Sequence, residues 1–277
     1  MIHKIAILAD VHGNESALKA VLTDSEREHV TDYWFLGDLL MPGPGTKALF
    51  ELINSYHFSV FLRGNWEDCY LAGVNNQIDV NDPGDIYIAK LAHYVEKQLT
   101  QKEQKLIEEL PLSCVKEVNG LKIGLSHNLP TKNFGPFLAP AQPQENFDQL
   151  FNDNFDIAVY AHIHHQTMRY STNDQLIINP GSIGQPFTSW PKLHDDLRAQ
   201  YAILEIDDLG RIQVNFKRVS YDIEQEIVLA YKQNLPYFEL YEELLREGTT
   251  HTHDIELLSQ LNIKYSYLED VKKWYKK

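Results

Sequence analysis

An apolar run that ends in polar residues decides the fold of this 277-residue chain: KIAILADVHGN, residues 4–14. Residues 4–9 are apolar apart from one lysine and include β-branched side chains, which predicts a buried strand. Apolar residues then recur at helical spacing and predict a helix over residues 14–28. The chain therefore opens with a strand, a polar loop and a helix, an order that is typical of proteins with parallel sheets.

The alternation of strand and helix continues through the first half of the chain. Short apolar runs predict strands over residues 33–36 and 58–62, and a helix over residues 46–55 lies between them. Such a βαβαβ order favours an open sheet with right-handed crossover connections. Two further helices are predicted over residues 85–99 and 101–110.

After Pro111 the pattern becomes rich in strands. Asn119-Gly120 is the strongest two-residue hairpin signal in the chain and separates strands predicted over residues 113–118 and 121–126. The later predictions are a helix over residues 144–151 and strands over residues 157–160, 167–170, 176–178, 202–205 and 211–217. From Asp222 onward the periodicity is helical. The second half is thus expected to form mostly strands, followed by a helical tail.

Composition excludes several classes of protein. Hydrophobic residues make up 43% and aromatic residues 11% of the chain, which excludes wholesale disorder. A net charge of −14 argues against binding to a nucleic-acid backbone, because phosphate contacts need clustered Lys and Arg. Cys69 and Cys114 are too few for a disulfide framework or a zinc site built on cysteine. The first apolar run is too short to span a membrane, so we expect a soluble, cytoplasmic protein.

Five short polar elements carry the chemistry, and each stands where a predicted strand ends. They are Asp10-Val11-His12, Gly37-Asp38, Gly64-Asn65-Trp66-Glu67, Ser126-His127-Asn128 and Ala161-His162-Ile163-His164. Ligands bind outside the carboxyl ends of strands in open α/β sheets, so convergence of these elements is expected. Carboxylate, imidazole and amide groups without sulfur suit Mn, Fe, Zn, Ni or Co.

Spacing within these elements strengthens the metal hypothesis. Asp10 and His12 are two residues apart, as are His162 and His164. At an extended strand end, side chains two apart point to the same side, so Asp10 and His12 are expected to face one ion, and His162 and His164 are expected to lie on one side. Asp38 has two carboxylate oxygens and can bridge two cations about 4 Å apart. Each pair alone is a weak signal, whereas five elements in this order form a strong one.

The series of motifs resembles the calcineurin-like metallophosphoesterase superfamily over roughly residues 3–220. The family pattern is D-x-H, G-D, G-N-H-[DE], H and G-H-x-H, and the five elements follow it in order. Two later segments, NPGSIGQP at residues 179–186 and RAQY at residues 198–201, resemble the small bacterial and archaeal phosphodiesterase (YfcE-like) branch.

The resemblance implies a fold and a division of the chain. The fold is an α+β protein with an α/β-type first half, a four-layer αββα sandwich of two mixed β-sheets flanked by helices, with a C-terminal helical extension. We expect the metallophosphoesterase domain to span residues 1–221 and the extension residues 222–277. The extension is expected to pack on the domain or to form a dimer contact.

The resemblance also implies a ligand set for two divalent metal ions. Asp10, His12 and His164 would hold one ion, and Asp38 would bridge both. The second ion would be held by Asn65, His127 and His162. In the family, a metal-bridging hydroxide attacks phosphorus while the cations neutralise charge on the phosphate. Asp38 and Asn65 would therefore also position the nucleophile and the phosphate.

Three residues depart from the family pattern: Ala161 replaces a glycine, Asn128 follows His127 where glycine is common, and Trp66 replaces the histidine of G-N-H-[DE]. That histidine protonates the leaving oxygen in the family, oriented by the carboxylate that follows, here Glu67. An indole N–H has no useful acidity, so Trp66 cannot perform this step. We favour Trp66 as a packing residue, with stacking on an aromatic part of the substrate as the alternative and a degenerate, weakly active enzyme as a third reading.

Other polar residues are weaker candidates. Asn14, Asn65, Trp66 and Arg63 are the predicted substrate contacts, although Asn14 could instead cap a helix and Arg63 could pair with a surface carboxylate. His165, His194, His251 and His253 are not expected to bind metal.

These residues predict a metal-dependent phosphoester hydrolase that prefers phosphodiesters. The alternatives within the superfamily are a phosphomonoesterase, a dinucleotide polyphosphate hydrolase and a protein phosphatase. From another class, the alternative is a non-catalytic scaffold that keeps the fold. The expected partner is a small phosphoester rather than a long nucleic acid or a membrane, and homo-oligomer formation stays open.

Overall fold

The computed structural model describes residues 2–151, 154–188 and 190–276. Within these ranges the chain forms ten β-strands in two sheets and ten α-helices. Met1 and Lys277, which open and close the two predicted domain ranges, lie outside the described residues. The domain boundary at residue 221 stays a prediction.

The first sheet contains the strands predicted from the opening βαβαβ pattern. β1 (His3–Leu8), β2 (Asp32–Phe35) and β3 (Phe58–Phe61) lie side by side and run parallel. β9 (Ala199–Ile206) and β10 (Ile212–Val219) extend this sheet on the other side of β1 as antiparallel strands. The strand order is β10-β9-β1-β2-β3, so the sheet is mixed.

The second sheet contains the remaining strands in the order β4-β5-β6-β8-β7. β4 (Ser113–Val118) and β5 (Leu121–Ser126) form the predicted hairpin. β6 (Ile157–Val159) and β8 (Leu176–Asn179) continue it in parallel, and β7 (Thr167–Tyr170) closes the edge in the antiparallel direction. The hairpin prediction is confirmed with the predicted bounds of both strands.

In the described ranges, ten α-helices connect and cover the strands. They are α1 (Glu15–Arg27), α2 (Lys47–Asn54), α3 (Asn65–Val74), α4 (Pro83–Glu96), α5 (Gln101–Glu109), α6 (Gln144–Asp148), α7 (Ile223–Lys232), α8 (Phe238–Glu247), α9 (Ile255–Lys264) and α10 (Tyr267–Trp274). The helix predicted over residues 144–151 is α6 followed by a 3-10 turn. No helix in the described ranges is long and apolar enough to cross a membrane.

The buried side chains form layers. Between the two sheets, Ile7 and Trp34 of the first sheet pack with Leu125 and Val159 of the second. The outer face of the first sheet packs against helices in a larger core. The outer face of the second sheet packs against α6 and the turn after it, with Phe147 in this smaller core. The predicted two-sheet sandwich flanked by helices is confirmed.

The C-terminal helices belong to the helical side of the first sheet. Leu244 of α8 and Leu258 of α9 are buried in the same core as Leu8 of β1 and Leu18 of α1. α9 and α10 both contact α4. The helices after residue 222 therefore share a core with the chain's first strand and helix.

Helix α3 was not predicted, because we interpreted residues 64–67 as a loop after a strand. Two features of the folded chain stabilise it. Glu67 in the first turn accepts a hydrogen bond from the backbone N–H of Gly64, which caps the helix. Near its end, a side chain at Gly73 would lie 2.6 Å from Cβ of Ala92, so glycine allows α3 and α4 to pack closely. Close packing on α4 depends on a tertiary contact that no local pattern shows.

Candidate metal centre

The five polar elements meet at one edge of the sandwich. Asp10 and His12 follow β1, Asp38 follows β2 and Asn65 follows β3, three parallel strands of the first sheet. In the second sheet, His127 follows β5, and His162 and His164 follow the parallel strand β6. Because the carboxyl ends of parallel strands share an edge, the sheets bring these side chains together. We call the seven residues the ligand cluster.

Most of the ligand cluster has a left-handed backbone. The φ angle is 56° at Asp10, 52° at His12, 58° at Asp38, 66° at His162 and 57° at His164. Such angles are uncommon outside glycine, and they concentrate at functional sites where the surrounding structure enforces them. We predicted that extended strand ends make side chains two residues apart point alike. That reason is wrong, because these residues lie beyond their strands and strained turns aim the side chains.

Backbone hydrogen bonds hold two of these turns against each other. Asp10 N–H donates to the carbonyl of Gly37 at 3.0 Å, and His12 N–H donates to that of Asp38 at 3.0 Å. Gly37 has a φ of 102°, and a side chain there would lie 2.4 Å from the backbone nitrogen of Gly64. The glycine of the Gly-Asp element is therefore required both by its conformation and by close approach of the neighbouring loop.

Asp38 lies at the centre of the ligand cluster. Its Oδ2 is 3.7 Å from His12 Nε2 and 3.3 Å from His127 Nε2. Asp10 Oδ1 is 3.6 Å from His164 Nε2 on one side and 3.9 Å from His127 Nε2 on the other. The potential ligand atoms form two groups, each within 4.8 Å: Asp10, His12, Asp38 and His164, and Asp38, His127 and His162. Asp38 is common to both.

Asn65 joins the second group through its side-chain carbonyl. Its Oδ1 lies 3.1 Å from His127 Nε2 and 2.8 Å from His162 Nδ1. An amide oxygen can ligate a cation without adding negative charge. The structure therefore places this amide where the resemblance to the metallophosphoesterases placed a ligand.

Backbone carbonyls orient three of the four imidazoles. The Nδ1 atoms of His12, His127 and His164 lie 2.9, 2.7 and 2.7 Å from the carbonyls of Met41, Leu36 and Gln185. Each Nδ1 must carry a proton to donate, so whenever one of these rings is neutral its Nε2 lone pair is directed into the cluster. This second hydrogen bond is the usual support of a metal-bound histidine.

Two observations show that the ligand cluster fits a cation. The Nε2 atoms of His12 and His164 face each other at 3.1 Å, although both rings use Nδ1 to donate to carbonyls. Two lone pairs at this distance repel unless a cation lies between them. In addition, both carboxylate oxygens of Asp10 and Oδ2 of Asp38 are buried without a hydrogen-bond partner. Buried carboxylate oxygens of this kind are stabilised by metal coordination.

Burial sets the protonation of three of the four imidazoles. It lowers the pKa of His12, lowers that of His162 to about 4, and lowers that of His164 well below its usual range. These three rings are therefore neutral near pH 7, the form that binds a metal. At His127 burial also disfavours the charged ring, but the charge of Asp38 outweighs it and raises the pKa of His127 to about 9. Burial also raises the pKa of Asp10 well above its usual range. A bound cation reverses that effect, because it stabilises the carboxylate.

Glu67 supports the backbone of the site, whereas the family pattern implied that it orients the side chain at position 66. It is 1% exposed, and its carboxylate accepts backbone hydrogen bonds from Asp38, Leu39 and Gly64, each at 2.8 Å. Burial, followed by the charge of Asp38, raises the pKa of Glu67 to about 7. Instead of orienting a side chain at position 66, Glu67 joins the Asp38 turn to the Gly64 turn. The local signal for this role is its position three residues after Gly64, where a capping carboxylate is expected.

Asn14 and Arg63 have intramolecular partners. Asn14 Oδ1 accepts from Ala17 N–H at 2.9 Å and caps α1, while its Nδ2 donates to the hydroxyl of Tyr221 at 3.1 Å. The guanidinium of Arg63 lies 3.2 Å from the carboxylate of Asp68. These contacts match the simpler interpretations given above, and substrate contact by either side chain stays a prediction.

Trp66 lies beside the ligand cluster. Its ring packs edge-on against His12, with ring centroids 5.6 Å apart and planes at 81°. The side chain is half-buried and packs on the helical core, yet it also lines the cavity next to the cluster. The packing interpretation is thus supported by contacts, and because Trp66 also lines the cavity, stacking on a ligand stays a prediction.

The other histidines lie outside the ligand cluster. The rings of His165 and His194 bond to the carbonyls of Phe187 and Thr188 at 3.2 and 3.1 Å. His251 Nε2 lies 3.0 Å from the carboxylate of Glu243. His253 is exposed and lines the cavity described next.

A cavity of about 530 Å³ opens directly above the ligand cluster, and we call it the main cleft. Asp38, Asn65, His162 and His164 reach it from the ligand cluster, which forms the floor. Residues that follow position 222 form one wall, which we call the C-terminal wall: Leu244, Gly248, Thr250, Thr252, His253 and Ile255. This contribution was not predicted, since the helical tail carries no recognisable chemistry.

The family model of the calcineurin-like phosphoesterase superfamily domain matches residues 3–209 of this chain. The chain belongs to this family. It is accordingly a metal-dependent phosphoester hydrolase, and the clustered Asp and His residues suit divalent metal binding. The resemblance stated from the motifs is confirmed for the superfamily, and the residues are consistent with its small phosphodiesterase branch.

Similar proteins come from archaea and bacteria. The uncharacterized protein MJ0912 of Methanocaldococcus jannaschii is 28% identical over 247 residues, which cover 84% of this chain and 93% of that protein. The hypothetical protein PH1004 of Pyrococcus horikoshii OT3 superposes with a TM-score of 0.71 at 21% identity, over 89% of this chain and 99% of that one. A metallophosphoesterase of Sphaerobacter thermophilus superposes with a TM-score of 0.64 at 22% identity, again over 89% and 99%. At these identities the two superpositions show a shared fold.

Proposed function

We propose that this protein hydrolyses small phosphoesters, phosphodiesters in preference to monoesters, with two divalent metal ions held by the ligand cluster. The observation that carries the proposal is the division of the cluster into two groups that share Asp38. A carboxylate common to two ligand groups is the arrangement expected of a two-metal hydrolytic site.

The proposed assignment follows the distances. Asp10, His12 and His164 would hold one ion, and Asp38 would contribute to both. Asn65, His127 and His162 would hold the second, with Asn65 Oδ1 between the two rings. Two divalent ions at such a site activate water and neutralise the developing charge on a phosphate.

The protein itself supplies orientation. The carbonyls of Leu36, Met41 and Gln185 fix three imidazoles, and Glu67 holds the turn that carries Asp38. Because these supports are buried, the floor of the main cleft needs little rearrangement when substrate arrives. Preorganised groups of this kind lower the cost of reaching the transition state.

The preference for phosphodiesters or activated esters rests on Trp66. The position that donates a proton to the leaving oxygen in the family holds an indole, which is no acid. Esters whose leaving groups need little protonation from this position are therefore favoured. Simple alkyl monoesters are expected to react slowly.

The proposed partner is a small phosphoester rather than a long nucleic acid. A cavity of about 530 Å³ is within the range of small-molecule sites. Asp82 and Asp85 lie on its rim, and the chain as a whole has a charge of −14. Negative charge around the opening disfavours a polyanion, whereas one or two phosphoester charges can be neutralised on the floor.

Metal analysis combined with a diester assay tests the proposal. After loading with Mn²⁺ we expect two ions per chain and turnover of bis-p-nitrophenyl phosphate. Asp38→Asn should lower turnover at least about 100-fold, since it removes the shared ligand charge. Asp174→Asn is the matched control, because Asp174 is an exposed carboxylate that also has a positive φ, 60°. This control should leave turnover unchanged.

Other outcomes would favour the alternatives. Faster turnover of p-nitrophenyl phosphate than of the diester would indicate a phosphomonoesterase. Two bound ions without turnover of any ester would contradict the proposed activity and favour a scaffold that has kept its metals. Turnover that survives Asp38→Asn would contradict the shared-ligand assignment.

A further inference from the structure

The C-terminal wall brings one histidine into the main cleft that the ligand cluster does not use. His253 lies in the segment between α8 and α9 and lines the same cavity as Asp38, Asn65 and His164 of the floor. A ligand that fills this cavity contacts the floor and the wall together. The ring of His253 forms no hydrogen bond with the described part of the chain, so its nitrogens are available to such a ligand.

The segment that carries His253 is anchored at both ends. Gly248 N–H donates to the carbonyl of Leu244 at 2.9 Å where α8 ends. His251 is held by Glu243 at 3.0 Å, and Asp254 caps α9 by accepting from Leu257 N–H at 3.0 Å. His253 is therefore an exposed side chain on a fixed backbone, which can present its ring at a defined place.

Three other titratable side chains line the described walls of the main cleft, those of Cys69, Asp82 and Asp85. Cys69 lines the main cleft, but burial raises the pKa of its thiol to about 12. Asp82 accepts backbone hydrogen bonds from Gly84 and Asp85 and caps α4, and Asp85 accepts from Asp79 N–H. Both residues line the cavity that His253 lines, so two carboxylates share this cavity with its ring.

We propose that His253 donates the proton to the leaving oxygen, in place of the imidazole that is missing at position 66. This inference rests on the proposed function. As an oxygen from water bonds to phosphorus and releases its proton to solvent, the P–O bond to the leaving group breaks. The leaving oxygen keeps the bonding electron pair and takes a proton from the imidazolium of His253. The alcohol leaves neutral, the ring becomes neutral, and solvent returns the proton. Imidazole is the side chain best suited to this exchange near pH 7.

A leaving-group comparison tests the inference. His253→Gln and the wild type, both loaded with Mn²⁺, are compared on methyl p-nitrophenyl phosphate and methyl phenyl phosphate. Phenolate is the poorer leaving group and needs a proton more. We expect His253→Gln to lower kcat on the phenyl ester about 100-fold and on the p-nitrophenyl ester less than about threefold, with KM within about twofold.

A control and a second variant guard against a structural explanation. His57→Gln replaces an exposed histidine that does not line the main cleft, and it should change neither ester. In His253→Ala, added imidazole should raise turnover of the phenyl ester about tenfold while leaving the p-nitrophenyl ester unchanged. A side chain that only packed would give no such rescue.

Four outcomes would overturn the inference. An equal loss on both esters would show that His253 acts on binding or structure, and no loss on either would show that it does not act. Absence of rescue by imidazole would exclude proton donation. If the wild type turns over neither ester, the proposed function fails and this inference fails with it. Any of the other three outcomes, with a wild type that turns over the esters, overturns this inference alone.

Discussion

The floor and the C-terminal wall of the main cleft are built in opposite ways. On the floor, Asp10, His12 and Asp38 are at most 1% exposed, have left-handed backbones, and leave carboxylate oxygens without hydrogen-bond partners. On the wall, Thr250 and His253 are exposed on a segment whose ends are capped. The difference indicates that the floor is a preorganised site for cations, whereas the wall can change with little cost to folding.

The largest expected effect tests how far the floor depends on one buried carboxylate. Glu67→Gln replaces an acceptor of three backbone N–H groups with an amide whose NH₂ must face at least one donor. We expect the free energy of unfolding of the metal-free protein to fall by about 2–4 kcal/mol and metal affinity to fall about 10- to 100-fold. Urea unfolding and competition with a chelating dye measure these two quantities.

Glu103→Gln is the matched control for Glu67. Glu103 completes the exposed capping box of α5 by accepting from Thr100 N–H, and glutamine serves equally well there. The free energy of unfolding should fall by less than about 0.5 kcal/mol in this control. Wild-type metal affinity in Glu67→Gln would show that the Asp38 turn keeps its place without this support.

A second substitution tests whether a histidine on the floor can donate the proton that we assign to His253 on the C-terminal wall. Trp66→His restores the family residue beside His12. We expect turnover of the phenyl ester to rise about tenfold relative to the p-nitrophenyl ester, most clearly in the His253→Gln background, because a proton donor is supplied from the floor. Trp66→Phe, which keeps a ring without a donor, should show no such gain. If Trp66→His also shows none, the missing acid does not limit the preference for leaving groups.

A smaller effect is expected where the C-terminal helices support the floor. Glu226 of α7 is fully buried and accepts hydrogen bonds from the backbone N–H groups of Glu15 and Ser16. These two residues begin α1, the helix that follows Asp10 and His12. Glu226→Gln should lower the free energy of unfolding by about 1–2 kcal/mol. Glu224→Gln, on the same helix but exposed and paired with Arg246, should lower the free energy of unfolding by much less than Glu226→Gln does, because solvent screens an exposed ion pair. Equal losses would show that burial of Glu226 contributes nothing special.

The smallest effect is a pH dependence at the contact between α4 and α10. His93 is 3% exposed, stacks on Trp274 at 4.2 Å, and bonds to the carbonyl of Gly73. Burial lowers the pKa of His93 to about 4, whereas an unfolded histidine titrates near about 6.5. The unfolded chain therefore binds the extra proton first, so this residue's contribution is complete above about pH 6.5 and declines toward pH 4.

Thermal unfolding of the wild type and His93→Gln at pH 7 and pH 4.5 measures this contribution. The wild type should be the more stable at pH 7, and its advantage should shrink by about 1–2 kcal/mol at pH 4.5. Taking the difference between the two proteins removes the parallel titration of the ligand cluster. A constant difference would contradict the lowered pKa of His93.

Local patterns predicted much of the fold. Strand and helix periods located the first three strands to within about a residue, and Asn119-Gly120 located the hairpin. They failed at α3, which depends on the cap from Glu67 and on close packing against α4. They also gave the wrong reason for convergence of Asp10 and His12, because left-handed φ angles at non-glycine residues depend on neighbouring loops rather than on local preference.

The sequence by itself determined the class of fold and the candidate ligands. The five polar elements depend on residue type and short spacing, and their resemblance to a known family implied the fold and the ligand set. Asp10, His12, Asp38, Asn65, His127, His162 and His164 could all be named before any contact was known. Only the tertiary structure decided that Glu67 and Glu226 support the floor and that His253 enters the main cleft. These roles join positions far apart in the chain, and such contacts arise only when helices after residue 222 pack beside the first strand and helix.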